Sequence, residues 1–518
     1  MPDYIFMLES RLTPEQLKAL NRVQQAAQDA GLNIYLVGGA VRDLMTGSPI
    51  RDLDFALEGN PLRLARRLAG DDARLDLDER RQCAELALAD GVRLSLEAAR
   101  NEFFHQPGRP PDIKPASIME DLRRRDFSVN AMGISLSAAS RGLLLDPTNG
   151  LADLESRQLR VLHNYSFLHD PVRLLRLLRF ASRLGFRPEE RTKELFDTAL
   201  ERDYPDTIQP EGLGREVENI LREENAVAVL KALAERELLA ALHPILQKRK
   251  PDYDGLAKLQ KYRRQAEEAG YRADPFYSGL HYLCRRLKSA AQKRLLRNLA
   301  LKKDQIKQAL AWDREARKVL KLLGRQRSAG PRQTYHLLGP VPVERLVFIL
   351  AEFSSRKKLQ SKVYNYLFKY RPLRAQLPVR ELQLMGVPPG PKSDQILEKY
   401  FEAQLDGKLR SRTDQLRFLR KLAGIPKPKP APPKPKKEKK GKKEAKPAPA
   451  APEKAPAATP EAKPTAAPAP APISAAKPAP PAAPAEKKKA EKLPAKKTRP
   501  KKPGKKSPKK VKKPRRKR

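Results

Sequence analysis

Asp52 and Asp54, one residue apart in Arg51-Asp52-Leu53-Asp54-Phe55-Ala56-Leu57, are the side chains of this sequence best suited to chemistry. On a strand, alternation places both carboxylates on one face and Leu53 and Phe55 on the other. Just upstream, Leu36-Val37-Gly38-Gly39-Ala40-Val41-Arg42-Asp43 reads as a strand, a Gly-Gly turn and a short helix. Gly38 and Gly39 let backbone N–H groups approach phosphate oxygens, and the positive end of the following helix points at them. Arg42 adds a cation to the same stretch. Paired carboxylates beside such a turn suit the holding of a divalent metal against a nucleoside triphosphate. The alternative is a tight turn with a solvated Asp-x-Asp. Turn, basic residue and acid pair falling together in this order favour the chemistry.

Taken whole, this segment resembles the head of the class II tRNA nucleotidyltransferase and bacterial poly(A) polymerase family, whose hallmark is GG-x-VRD followed by D-x-D. The resemblance implies a polymerase-β-like α/β head with a small mixed sheet. It also implies Mg²⁺ on Asp52 and Asp54, and a nucleotide at Gly38, Gly39 and Arg42. Arg124-Arg125-Asp126-Phe127-Ser128-Val129-Asn130-Ala131 matches the family's RRDF-x-x-NA motif, which implies that Arg125, Asp126 and Asn130 meet the ribose. A carboxylate can accept from a 2′-hydroxyl while an arginine fixes it, though an Asp–Arg pair can equally cap an element.

Asp146-Pro147, Gly150 and Asp153-Leu154 resemble the family's DP-x-x-G-x-x-DL connector, read as structural, with its aspartates as turn and cap residues. His169-Asp170-Pro171-Val172-Arg173 falls where the family has ED-x-x-R. There Asp170 would accept from the exocyclic amine of C or A while Arg173 donates to ring acceptors, selecting CTP and ATP. Arg176 is expected at the nucleotide too. Asp170-Pro171 is also an ordinary helix start, and Arg173, Arg176 and Arg179 could form a solvated or phosphate-facing stripe. Glu381-Leu382, Met385–Pro391 and Leu405-Asp406-Gly407 resemble the far end of many bacterial members. In the family the helical region grips the tRNA acceptor arm, a use that the basic stretches Lys258–Arg264 and Arg285–Arg297 would suit.

Three positions depart from the family's pattern. Ser95 stands where relatives carry a third acid, with Glu97 two residues on as the candidate substitute. Gln82-Cys83-Ala84 replaces a Phe-Gly-Thr. His169 replaces the first acid of the base-reading element. His-Asp invites a metal phosphohydrolase reading, but the further His and Asp ligands of that fold are missing from the sequence. The departures fit partial specialisation, to CC or A addition alone, or an impaired enzyme.

These residues need elements to hold them. A helical pattern runs from Leu12 to Ala30, and strands are expected at Ile34–Val37, Asp52–Leu57, Ala84–Leu88 and Val92–Leu96. Beyond about residue 150 the pattern is helix after helix, with apolar periodicity in Val172–Leu184, Val217–Leu242, Leu295–Leu323 and Val343–Phe353. The expected division is a catalytic head over 1–150, a helical neck and body over 151–275, and a helical tail domain over 276–425. A disordered Lys/Pro/Ala-rich tail follows over 426–518.

Of the 518 residues 106 are Lys or Arg and 61 Asp or Glu, a net charge of +45. The tail holds 32 of the cations and 6 of the acids, so the body is basic in its own right. Both point to a polyanion, with nonspecific nucleic-acid binding expected of the tail. Cys83 and Cys284 match no metal spacing, and neither a signal peptide nor a membrane span is evident, so a cytoplasmic protein is expected. The expected activity is addition of C, A or both from CTP and ATP to a tRNA 3′ end by metal-assisted in-line attack. The alternatives are poly(A) polymerase activity and a noncatalytic RNA- or DNA-binding scaffold.

Overall fold

A computed structural model describes residues 3–70, 74–88, 91–326 and 328–425. The helix expected over Leu12–Ala30 is α2 (Pro14–Asp29), and a shorter helix not read from the sequence, α1 (Tyr4–Arg11), precedes it. The break at Thr13 is a capping box with Gln16, followed by Pro14, which favours a helix start over continuation. Five strands follow: β1 (Asn33–Val37), β2 (Leu53–Glu58), β3 (Arg74–Asp78), β4 (Cys83–Ala87) and β5 (Arg93–Ala98). Two short helices interrupt them, α3 (Gly39–Thr46) and α4 (Pro61–Ala69). A hairpin of β6 (Arg100–Phe103) and β7 (Asp112–Pro115) leads to helix α5 (Ile118–Arg123) and to strands β8 (Gly133–Ser135) and β9 (Leu144–Leu145).

The main sheet has the order β3-β4-β5-β2-β1-β8-β9, with β2 and β5 parallel and the other pairs antiparallel. Leu53, Phe55 and Leu57 of β2 and Leu94 and Leu96 of β5 are buried in the main apolar cluster with residues of α2 and α4. Alternation therefore sends Asp54, Ser95 and Glu97 to the opposite face. Helix α5 covers that face only in part, packing Ile118 and Leu122 on Tyr35, Val37 and Ala56.

Past the head the described chain is mainly helical: α6 (Gly150–Glu155), α7 (Ser166–His169), α8 (Val172–Leu184), α9 (Glu190–Glu201), α10 (Pro210–Arg222) and α11 (Ala226–Glu235), then further helices to Ala423. Helix α8 has the bounds its periodicity predicts. The expected run Val217–Leu242 is instead broken after Arg222, where the Asn225 side chain accepts from the Ala228 N–H and starts α11 afresh. Leu295–Leu323 likewise divides into Ser289–Asn298 and Lys303–Arg325.

One apolar cluster runs from Ile5 to Leu367, and a smaller one gathers Leu382, Val387, Ile396, Leu397, Tyr400, Ala403, Leu409 and Leu419. Cys83 and Cys284 are free thiols. Among the described residues no helix is long and apolar enough to cross a membrane. The tail expected over 426–518 lies outside the described residues.

The connector behaves as read. Asp146 accepts from the backbone N–H groups of Gly150 (2.7 Å) and Leu151 (2.9 Å). Asp153 is more than a cap: it is buried and takes the Ser128 hydroxyl and the Arg160 guanidinium, tying the connector to the RRDF segment. Gly150 lies so close to the Ser128 carbonyl that a Cβ there would collide with backbone. Gly150→Ala is expected to destabilise the protein by about 1–3 kcal/mol in chemical denaturation, as overpacking against an atom that cannot yield.

Candidate active site

A cleft of about 1200 Å³ opens between the head's acid-bearing face and helices α8 and α10. Its lining includes Gly38, Gly39, Arg42, Asp52, Asp54, Glu97, Arg125, Asp126, Asn130, Asp170, Arg173 and Arg176, so the candidate catalytic and nucleotide-binding residues lie along one cleft, while His169 is not among its lining. Asp52 falls on the bend just before β2 rather than on the strand itself, while Asp54 is the second strand residue.

The two aspartates make no hydrogen bond or ion pair with any described residue. Burial, the charge of Asp52 and the charge of Glu97 push Asp54 up to about 7, against the opposing pull of Arg125 and Arg42. Unpartnered hard oxygens that repel one another are the donor set a divalent cation neutralises, so the residues present fit such an ion. In the β2–β5 register Ser95 lies beside Asp54, and Glu97 two pairs further on beside Ala56. Glu97 shares the open face, alternates with buried Leu96, and has Arg100 at 3.4 Å. Glu97 thus offers a carboxylate on the same face of the cleft as Ser95, two residues along the strand.

Gly38 carries the turn at φ +66, a conformation that glycine adopts without strain. A Cβ on it would stand 3.1 Å from Arg125 Nη1, tight enough to press on that guanidinium, while one on Gly39 would make ordinary contact with Asp54 Oδ2 at 3.6 Å. Arg125 donates through Nε and Nη2 to Asp121 Oδ2 (3.2 and 2.9 Å), which leaves Nη1 beside Gly38. Arg42 differs from the expected open phosphate ligand. It is buried, with Nε and Nη2 on Asp43 Oδ1 (2.9 and 2.7 Å) and Nη1 on Asn130 Oδ1 (2.6 Å).

Asp126 receives the Phe127 N–H (2.8 Å), Asn130 Nδ2 (3.0 Å) and Arg176 Nη1 (3.0 Å). Burial would raise its pKa, but Arg176 and Arg173 with these hydrogen bonds bring it down to about 2. The stripe of α8 is neither solvated nor phosphate-facing where it is deepest. Arg179 is buried on Glu216 and Glu223, and Arg176 shares Glu216 with it. Arg173 donates to Ser166 Oγ (2.7 Å) and the Arg124 carbonyl (3.1 Å), while Asp170 lies 3.5 Å from its Nε. The Asp170 side chain does not cap α8, since Pro171 holds the N-cap position without a side-chain hydrogen bond. Asp170 therefore keeps a half-exposed carboxylate at the cleft.

Sequence reasoning passed over Asp121, Glu216, Glu223 and Asp43, the acids that hold these arginines. Asp121 was within reach, four residues before Arg125 at the end of a helix. Glu216 had no local signal.

The mixed sheet carrying an acid pair beside a Gly-Gly turn, followed by helices, defines a small-sheet nucleotidyltransferase head on a mainly helical body. Residues 34–160 match the family model described as the Poly A polymerase head domain. The chain is 26% identical over 428 residues to the A-adding tRNA nucleotidyltransferase of Geobacter sulfurreducens, covering 81% of this chain and 48% of that protein. To the A-adding tRNA nucleotidyltransferase of Aquifex aeolicus it is 32% identical over 368 residues, covering 69% and 43%. To that of Halalkalibacterium halodurans it is 29% identical over 428 residues, covering 80% and 95%. The chain thus spans about half the length of the first two relatives and nearly all of the third. Its resemblance to the tRNA nucleotidyltransferase and poly(A) polymerase family holds through the head and most of the described body.

Two stability outcomes follow from the charges. Asp126, depressed in the folded state, stabilises fully above about pH 4 and loses that contribution as pH falls toward 2. Asp54, raised, works the other way: stability declines as pH climbs from about 4 to 7. Metal-free Asp54→Asn protein should melt above wild type at pH 8 and level with it at pH 4. Glu216→Ala takes a partner from buried Arg179 and half-buried Arg176, and should cost about 3 kcal/mol in denaturant unfolding.

Proposed function

We propose that this chain is an RNA nucleotidyltransferase that extends a tRNA 3′ end, with ATP as donor for the terminal A and CTP as a second candidate donor. The observation that carries the reading is the unpartnered Asp52–Asp54 pair beside the Gly38–Gly39 turn, with Glu97 at the same face. A-adding relatives aligned along most of the described chain support A addition among the family's activities.

In this reading Asp52 and Asp54 hold Mg²⁺, joined by Glu97. Such an ion supplies neutralisation of phosphate charge and activation of a hydroxyl toward phosphorus. The backbone at Gly38 and Gly39 and the free Nη1 of Arg125 receive the triphosphate. Arg42 acts indirectly, by setting Asn130 against Asp126. Asp126, ionised at neutral pH, accepts from the ribose hydroxyl, and Arg176 keeps its carboxylate in place. Asp170 accepts from the exocyclic amine of adenine or cytosine and Arg173 donates to the adjacent ring acceptor, while uracil and guanine present the opposite pattern.

The division into a head to about residue 150, a helical neck and body to 275 and an RNA-gripping part to 425 belongs to the same proposal. So do a cytoplasmic location and nonspecific nucleic-acid binding by residues 426–518.

The test offers tRNAs ending before CCA, after CC, or complete, with Mg²⁺ and each labelled NTP in turn. A should be added to the CC-ended tRNA, and Asp52→Ala/Asp54→Ala should lower the rate by about 10³-fold or more. Tight RNA binding without incorporation on any substrate would make the chain a noncatalytic scaffold. In the same assay Arg173→Ala should cut discrimination of ATP against GTP by about 10–100-fold, the range lost when a pocket's polar match is removed.

A further inference from the structure

Across the sheet the cleft has two sides. The Gly38–Gly39 turn follows β1, and the carboxylates stand on β2 and β5 in the middle. On the far side β4 pairs with β5, placing Cys83 against Glu97. Three strand spacings, roughly 14 Å, separate β1 from β4. In-line transfer puts the leaving pyrophosphate and the attacking hydroxyl on opposite sides of the attacked phosphorus. With the triphosphate on the glycine side, the strand that bears the hydroxyl must arrive from the β4 side.

Two arginines wait there. Arg81 comes from the turn between β3 and β4, and Arg215 from α10 on the opposite wall. Both line the cleft, and neither guanidinium makes a hydrogen bond or ion pair with a described residue. That sets them apart from Arg42, Arg100, Arg125, Arg173, Arg176 and Arg179, each tied to a carboxylate or carbonyl. Although Arg215 is exposed, partial desolvation at the cleft wall and the charges of Arg81 and Arg176 lower its pKa, partly offset by Cys83 and Asp78. Arg215 is exposed and Arg81 half-buried, so both present free donors to the cleft that the oxygens of a phosphate can accept from on two sides.

We propose that Arg81 and Arg215 clamp a phosphodiester of the RNA strand whose 3′ end enters the cleft, gripping it from the head and from the body at once. This deepens the transferase reading and rests on it for the identity of the strand. The clamp explains how a primer is held without reading its bases: phosphate contacts position and carry no sequence information.

The test uses the full chain, a fluorescein-labelled minihelix RNA ending in single-stranded CC, and the variants Arg81→Ala, Arg215→Ala and the double variant. Anisotropy titrations across a salt series and initial rates of A addition are both read. The double variant should raise the KM for RNA about tenfold and lower the salt slope of binding by one to two, the signature of one or two lost phosphate contacts. The KM for ATP should not move, Arg215→Lys should recover most of the loss, and the melting temperature of Arg215→Ala should equal or exceed wild type. Unchanged RNA binding and salt slope would overturn the clamp. A rise in the KM for ATP alone would overturn it too, assigning the pair to the triphosphate. Wild-type protein that binds the minihelix but adds nothing would defeat the transferase reading separately, leaving the binding arm to judge the clamp.

Discussion

A carboxylate placed in a shielded cleft beside other carboxylates must be protonated or neutralised, and Asp54 stands in that position. The parallel pairing of β2 and β5 brings Glu97 toward it, and the bend before β2 adds Asp52. Nearby guanidiniums could have cancelled this charge. Instead, two donors of Arg125 go to Asp121, and the Arg42 donors go to Asp43 and Asn130. The head therefore keeps its negative charge at one spot while surrounding that spot with cations already spoken for. Such an arrangement is costly in the bare protein and favourable once a divalent ion and a polyphosphate arrive together.

A second constraint joins the head to the helices. Asp126, Arg176, Glu216 and Arg179 form a continuous chain of charge-assisted contacts, with Glu216 1% exposed and Arg179 7%. Burying so much charge adds little net stability, because desolvation offsets the attraction. What it supplies is register. These contacts tie helix α8 to the RRDF segment through Asp126, and Arg173 adds its bond to the Arg124 carbonyl. The groups proposed to read the base are thereby fixed against the groups proposed to hold the sugar.

What was legible in the sequence was local. The Gly-Gly turn, the acid pair, the RRDF stretch and the bounds of α8 are set by residues within a few positions of one another, and they occupy their expected places. The breaks within Val217–Leu242 and Leu295–Leu323 were not read, because periodicity continues across a capped interruption while the backbone does not. Asp52 fell outside its strand by one residue, a boundary decided by sheet pairing. Glu216, 40 residues from Arg176 and 37 from Arg179, had no signal short of the packed structure. The same packing explains why the α8 arginines, which read as an open stripe, are mostly braces. Glu97 was legible as well: two residues from Ser95, it had to share that strand face, and the β2–β5 register places it there.

The central claim is that Asp52 and Asp54, with Glu97, form a divalent cation site. The most direct measurement is titration of Mn²⁺ into the protein with ATP at fixed concentration, following the free ion by electron paramagnetic resonance. The account predicts that wild type depletes the free signal beyond what ATP alone does, that Glu97→Gln does so more weakly, and that Asp52→Ala/Asp54→Ala does not. Equal depletion by wild type and the double variant would contradict it.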